Sequence, residues 1–304
     1  GIHPTSVPDK SIREDVVDYV VVGEAEDSLI ELLDSLEKKQ PNYKIPNVWF
    51  KKNGQVIGNP VRPLNQNLDA LPYPNKDLFA PHVPFKHYMI ATARGCLFSC
   101  SFCCHNFLRK LYIKDAARYV RRRSPDHVLG ELKRAKAKYH IQFVSFEDDI
   151  FTYDKEWLRK FLPRYKNEVG LPYRAITHPL HIDDEIAKLL KESGCYKLEM
   201  GVQTFNEEVK LKMMSRIEKN EDIIRAIKAC DTYQLNFYVD MMFGFGETVE
   251  EMTYATLLYN QYRPVRITCY WLQYIPSTGV LDRTGATEEQ KKQAAEGSSN
   301  TYIT

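Results

Sequence analysis

The chain has 304 residues, with 42 Lys and Arg set against 40 Asp and Glu, for a formal net charge of +2. Apolar residues make up 43% and charged residues 27%, a balance that buries a sizeable core, and the length suits a large α/β domain with a smaller piece beside it. The near-neutral charge gives no electrostatic reason to expect a nucleic acid or an anionic membrane as partner; no apolar run is long enough to span a bilayer and no secretion signal opens the chain, so the cytoplasm is the expected compartment.

The first apolar run, residues 16–22 (VVDYVVV), predicts a strand, Gly23 a turn, and the following stretch a helix on which Leu29, Leu32, Leu33 and Leu36 recur at helical spacing. Residues 48–50 and 56–57 flank an Asn53-Gly54 pair and predict a hairpin. Residues 1–58 are therefore one small α/β piece. Prolines at 60, 63, 72, 74, 81 and 84 exclude regular structure and make 59–86 a connecting strap.

After the strap, strands and helices alternate. Strands are expected at 87–92, 141–146, 173–177, 196–200, 236–243 and 265–273, and helices at 125–138, 155–168, 183–192, 205–213, 220–233 and 247–261. Six such units predict a parallel sheet with helices outside, curled into a partial barrel over 87–280 with its chemistry at the strand C-terminal ends; a doubly wound open sheet is the alternative. Residues 281–304 form a polar C-terminal segment, a solvated helix or a frayed end.

Seven cysteines are an odd number, and a chain this long needs no disulfide staples. Three of them, Cys96, Cys100 and Cys103, fall in one Gly-bounded loop, RGCLFSCSFCCHN, as C-x-x-x-C-x-x-C. That spacing lets one loop wrap an iron–sulfur cubane with three thiolates and leaves the fourth iron open to a small chelator, for which S-adenosylmethionine (SAM) has the amino and carboxylate groups. A zinc site completed by Cys104 or His105 is the alternative; structural zinc sites, however, usually join two ligand arms, and here all candidates share one loop. Cys195, Cys230 and Cys269 sit in element-like stretches and read as structural; Cys104 stays open. The run Arg121, Arg122, Arg123 is either a solvated face or an anion grip, and Tyr112, His178 and Tyr274 are cavity candidates by position.

The cysteine loop, with YVRRRSPDHVLGEL after it, FEDDIF, LEMGVQTFNEEVKLKMMSR, FGFGETVEE and YIPSTG in this order, resembles the radical SAM superfamily. More narrowly it is similar to the branch whose barrel follows a cobalamin-binding domain, which includes anaerobic magnesium-protoporphyrin ester cyclase-like enzymes and cobalamin-dependent methylases. The resemblance implies a (β/α)6 partial barrel preceded by part of a Rossmann-like α/β domain, a 4Fe-4S cluster on Cys96, Cys100 and Cys103, and reductive cleavage of SAM to a 5'-deoxyadenosyl radical. It places Phe102 beside the cofactor, Asp148 and Asp149 where the SAM ammonium is received, Glu199, Gly201 and Gln203 at its ribose or carboxylate, and Gly244, Gly246 and Glu247 near its adenine. Gln203 replaces the acidic residue expected there. The implied partners are a small-molecule or lipid-like substrate and an electron donor such as flavodoxin or ferredoxin. Cobalamin is suggested by the resemblance alone, since no D-x-H-x-x-G signature occurs in these residues. Two other readings remain, a zinc- or cluster-stabilised binding module and a methylthiotransferase or transfer-RNA-modifying enzyme sharing the barrel.

Overall fold

A computed structural model describes residues 1–83 and 86–296; Pro84 of the strap and the last eight residues of the C-terminal segment lie outside the described residues. The N-terminal piece contains helices α1 (Ile2–Ser6) and α2 (Pro8–Arg13), strand β1 (Tyr19–Val21), helix α3 (Glu26–Glu37) and a hairpin of β2 (Val48–Lys52) and β3 (Gln55–Gly58). The three strands form an antiparallel sheet with Tyr19 opposite Phe50 and Trp49 opposite Gly58. The expected helix forms, but of its four leucines only Leu32 is buried, beside Ile45, Val48 and Phe50, while Leu29, Leu33 and Leu36 are exposed among the described residues. Helix α3 meets the sheet along a narrow line through Ser28, Leu32 and Ser35, so its apolar arc is wider than the surface that covers it.

The strap takes no regular form beyond one short 3-10 turn, Leu68–Ala70. It is tied down by side chains instead. Leu64 N donates to Asp115 (3.1 Å), Ser124 N to Asp69 (2.9 Å) and Tyr139 Oη to Asp77 (2.7 Å).

The barrel consists of β4 (His87–Ile90), a two-residue strand β5 (Ala93–Arg94), α4 (His105–Leu111), a second short strand β6 (Arg121–Arg122), α5 (Pro125–Tyr139), β7 (Phe143–Phe146), α6 (Lys155–Glu168), β8 (Tyr173–Thr177), α7 (Asp184–Ser193), β9 (Cys195–Gln203), α8 (Asn220–Thr232), β10 (Phe237–Phe243), α9 (Val249–Tyr262), β11 (Arg266–Trp271), α10 (Val280–Arg283) and α11 (Glu288–Ala295). Strands β4, β7, β8, β9, β10 and β11 lie side by side in chain order and every neighbouring pair is parallel, the arrangement of an open (β/α)6 barrel. Strands β5 and β6 make a separate antiparallel ribbon on the rim.

Helix starts carry the expected signals. Ser124, Asp154 and Asp183 accept hydrogen bonds from His127 N, Trp157 N and Ile186 N at the N-termini of α5, α6 and α7, and Thr248 with Glu251 forms a capping box on α9. Gly194, at φ +99°, ends α7 in the left-handed conformation. One expected helix differs. Residues 209–213 wind as a π-turn, Val209–Met213, which moves its last carbonyls away from their usual partners.

The main core fills the space between the sheet and α5 to α9. Phe146 stacks on Phe151 (4.5 Å) and meets Phe161, Tyr165 and Tyr173 edge-on at 5.2 to 5.8 Å, all of them fully buried. The C-terminal segment is helical over α10 and α11, and Val280, Leu281 and Ala294 pack with Leu272 and Tyr274 against Phe102 of the cysteine loop. Replacing Phe146 by Ala leaves a cavity that four aromatic neighbours cannot fill. A loss of about 3–5 kcal/mol is expected, read as a lower urea midpoint at unchanged m-value.

Candidate active site

The cysteine loop begins at Gly95, where φ is +89° and a Cβ would stand 2.5 Å from Tyr119 O, so glycine is required. The loop has little internal structure and is fastened from outside. Arg109 donates to Cys96 O (2.7 Å), Asn106 to Ser99 O (3.2 Å) and Gly279 N to Asn106 (2.9 Å), while Val280 N donates to Ser101 O (3.0 Å). Ser101 donates through its amide to Met214 O (2.9 Å) and through Oγ to Met213 O (2.5 Å), the carbonyls freed by the π-turn. Phe98 N points at Cys96 Sγ (3.5 Å), and the Phe98 ring stacks on His178 with centroids 4.1 Å apart.

Cys100 is buried and Cys96 and Cys103 are partly buried on the same loop, and among the described residues no three His, Cys, Asp or Glu side chains are gathered closely enough to hold a single metal ion. Burial raises Cys96 to about 12, with Asp149, Cys100 and Cys103 each adding to the shift. Burial also raises Cys100, and the Cys104 hydrogen bond together with burial raises Cys103. Held so, the metal-free loop keeps its protons at neutral pH, and a metal that takes the sulfurs must displace them. Three sulfurs on one braced loop, with an amide donor on one of them, are the donor set that a cubane takes, and a cubane spans more space than a single ion. His105 does not serve as a zinc ligand here. Its Nδ1 meets Tyr119 Oη (2.7 Å) and its Nε2 meets Asp149 (2.9 Å), which leaves no free nitrogen.

The two neighbouring aspartates part company. Asp148 points inward and is almost wholly buried; it accepts from Thr92 N (2.5 Å), Thr92 Oγ1, Ala93 N (3.0 Å) and Arg122 (3.2 Å). Its oxygens are fully engaged by the protein. Asp149 points outward, 41% exposed, toward the cysteine loop through His105. The arginine run is neither a solvated face nor an open anion grip. Arg121 makes a fork with Glu24 (2.7 and 3.0 Å), Arg122 joins Asp148 and lies over Tyr153 and Trp157, and Arg123 pairs with buried Glu131 (2.5 Å). Arg94 adds contacts to Glu26 (2.6 Å) and Glu24 (3.5 Å), so the rim of the barrel grips the N-terminal piece.

At the end of β9 the pairing with β10 slips, Asp240 facing Gly201 but Met241 facing Gln203, and Gln203 takes φ +68°. A Cβ on Gly201 would meet the Gln203 side chain at 2.9 Å, so these two positions are packed together. Leu198, Met200 and Val202 join the helix-side core, which turns Lys197, Glu199, Gly201 and Gln203 toward the lumen. There Glu199 meets Lys197 (2.9 Å), Arg174 meets Glu147 (3.1 Å), and Asp240 lies beside Glu199 with one oxygen unpartnered in the protein. After β10, Glu247 folds back to accept from Gly244 N and Phe245 N, both at 3.0 Å, and Gly246 has open space where a side chain would stand.

Phe102 packs into the C-terminal cluster. Tyr112 accepts from Glu24 N (2.9 Å) and lines a small cavity with Glu24, Asp27, Arg62 and Asn65, while Tyr274 bonds Thr284 (2.8 Å). Cys195 and Cys230 are core residues, but Cys269 is exposed on β11. Residues not singled out from the sequence are Asp240, Arg216 and Glu218. Arg216 is buried against Glu218 (2.5 Å), His178 (2.9 Å) and Gly201 O (2.7 Å). A charged pair on alternate residues after a helix reads as surface in any sequence, and only its burial marks it.

Asp148→Ala leaves Arg122 buried without its counter-charge. A loss of about 3–5 kcal/mol in chemical denaturation is expected, with an Asp149→Ala control close to wild type. Burial, with Glu199 next, raises Asp240 from 3.8 to about 6. A carboxyl raised on folding costs stability as pH climbs between those two values. Asp240→Asn should therefore gain stability over wild type as pH rises through that window, and equal differences in urea midpoint below and above it would refute the assignment.

A family model of the radical SAM superfamily matches residues 90–258. An uncharacterized methyltransferase of Pyrococcus horikoshii is 30% identical over 265 residues, covering 84% of this chain and 56% of the relative. A cytidylyl-2-hydroxyethylphosphonate methyltransferase of Streptomyces wedmorensis is 25% identical over 298 residues, covering 83% and 54%. The chain thus spans about half the length of these relatives. Among solved structures, the radical SAM methyltransferase TsrM from Kitasatospora setae, with cobalamin and a [4Fe-4S] cluster bound, superposes with a TM-score of 0.73 at 19% identity, covering 92% of this chain and 56% of that one. No helix among the described residues is long and apolar enough to cross a membrane. With the family match spanning more than half its length over the barrel and the cysteine loop, the chain belongs to the radical SAM superfamily.

Proposed function

We propose that the chain carries a radical SAM active site in which Cys96, Cys100 and Cys103 hold a 4Fe-4S cluster whose fourth iron is left for SAM. Held by these three residues, such a cluster would supply the electron for reductive cleavage of SAM to methionine and a 5'-deoxyadenosyl radical, the species that would take hydrogen from an unactivated carbon. The observation that carries this reading is the loop itself, three thiols on a segment held by Arg109 and Asn106 of α4, by the Met213 and Met214 carbonyls and by the ring of His178.

The protein's own share is placement. Asp149 is the outward carboxylate at the rim and the candidate for the SAM ammonium, whereas Asp148 fixes the turn from which the loop leaves. Glu199, Gly201 and Gln203 on β9 and the Gly244–Glu247 turn after β10 frame the opposite side, where open backbone at Gly246 admits a flat ring. The named methyltransferases among the relatives, and TsrM with its cobalamin, support methyl transfer with cobalamin as the outcome, ahead of cyclisation or rearrangement. The substrate is a small molecule, and a flavodoxin or ferredoxin is the electron donor in this reading.

Anaerobic reconstitution with iron and sulfide should load four irons per chain and, with dithionite and SAM, yield 5'-deoxyadenosine. Cys96→Ala, Cys100→Ala and Cys103→Ala should each abolish both iron loading and product, while Cys269→Ala should not. An iron-loaded wild type that leaves SAM intact sinks the catalytic reading, and one zinc per chain with no iron favours the binding module.

A further inference from the structure

The catalytic reading leaves a buried histidine beside the cysteine loop unused. His105 opens α4, is 7% exposed, and has both ring nitrogens engaged. Its Nδ1 meets Tyr119 Oη at 2.7 Å, and its Nε2 stands 2.9 Å from Asp149 Oδ2. A carboxylate can only accept, so the ring hydrogen belongs on Nε2, and Nδ1 accepts from the Tyr119 hydroxyl. Tyr119 is fixed in turn. It is 4% exposed, its ring lies edge-on to His105 with centroids 5.7 Å apart, and the Arg109 guanidinium sits over that ring at 4.9 Å. The same Arg109 holds Cys96 O, so the tyrosine, the histidine and the loop share one brace.

The far end of this line is different. Asp149 is 41% exposed, and among the described residues no other side chain pairs with it. Its neighbour Asp148 already accepts from Thr92, Ala93 and Arg122. An exposed carboxylate without such partners turns among several rotamers, and a ligand that needs one of them must bear the ordering cost on binding. A ring anchored at one nitrogen by a core hydroxyl and facing the carboxylate with the other removes that freedom before the ligand arrives.

We propose that His105, backed by Tyr119, is a positioning residue that holds the Asp149 carboxylate in the orientation that receives the amino group of SAM. The proposal rests on the reading of Asp149 as the acceptor for that group and of the three cysteines as cluster ligands. His105 itself touches neither SAM nor iron in it and acts through Asp149 alone.

The test is equilibrium dialysis of radiolabelled SAM against the full chain, reconstituted anaerobically with iron and sulfide and left without reductant, so that binding is read apart from turnover. His105→Asn keeps a polar partner for Tyr119 but is too short to reach Asp149, whereas His105→Gln brings an amide nitrogen to the place of Nε2. The Asn variant should bind SAM about tenfold more weakly with its iron content unchanged, the loss expected for one hydrogen bond to a charged group. The Gln variant should stay nearest to wild type. Asp149→Ala should weaken binding at least as much, and His105→Asn added to it should cost nothing more, because a residue that works only through Asp149 then has nothing to align. Wild-type affinity in His105→Asn or in Asp149→Ala, equal losses in the Asn and Gln variants, or losses that multiply in the double variant would overturn the proposal. So would iron lost from the Asn variant, which would make His105 a prop of the loop. If the Asn variant does not fold, Tyr119→Phe decides alone: it should lower SAM affinity at full iron content, and unchanged affinity there overturns the proposal. A wild type that loads four irons yet binds no SAM is a different result, and removes the proposed function itself.

Discussion

The turn after the first barrel strand is held by one buried carboxylate, and both the cysteine loop and the N-terminal piece take their positions from it. Asp148 collects Thr92 N, Thr92 Oγ1, Ala93 N and the Arg122 guanidinium, so the end of β7 is bound to the chain between β4 and β5 and to the strand β6 beyond the loop. With both feet of the β5–β6 ribbon fixed, the loop between them leaves and returns at set points. The same ribbon presents Arg94 and Arg121 to Glu24 and Glu26. A desolvated ion pair adds little to net stability but penalises every other arrangement of its partners, and that selectivity is what a loop without its own secondary structure requires.

The three consecutive arginines show how such selectivity is distributed. Side chains alternate along a strand, so neighbours on β6 face different ways, and each guanidinium finds its own carboxylate: Glu24 in the N-terminal piece, Asp148 at the rim, Glu131 in α5. The two-residue strand and the arginine after it therefore register three bodies against each other. Arginine suits this role better than lysine because its planar fork takes two oxygens at once, as Arg121 does with Glu24.

The periodic part of the fold was legible in the sequence because helix and strand spacings are local. Residues 155–168 and 173–177 coincide with α6 and β8, and the hairpin around Asn53-Gly54 follows from turn chemistry alone. The cysteine trio was legible for the same reason, as a spacing within one loop. What could not be read is what depends on distant partners. The π-turn at Val209–Met213 exists where Ser101 draws its carbonyls and Lys210 is buried against Asn220 (2.7 Å). Asp148 and Asp149 are the same residue type in adjacent places, and only the parity of the strand end decides which one turns inward. The leucines of α3 look like a core face, yet three of them stay exposed among the described residues.

The lumen explains why this barrel leaves room for ligands at all. In a closed eight-stranded barrel, branched apolar side chains fill the interior in layers. Here the lumen-facing positions of β8 to β11 carry Arg174, Lys197, Glu199, Tyr238, Asp240 and Arg266, with Lys197 and Arg266 set over the Tyr238 ring at 4.5 and 5.7 Å. Charged groups of both signs resist collapse into a dry core, because each must keep a partner or a water. Six strands in an open arc then surround a polar space rather than a packed one, and the cysteine loop stands at its upper rim. The core that holds the sheet rigid lies wholly on the other face, in the aromatic stack around Phe146. Separating the two faces lets the lumen keep an unpartnered Asp240 oxygen without disturbing the packing of the core, which is the condition under which a polar ligand can compete for that group.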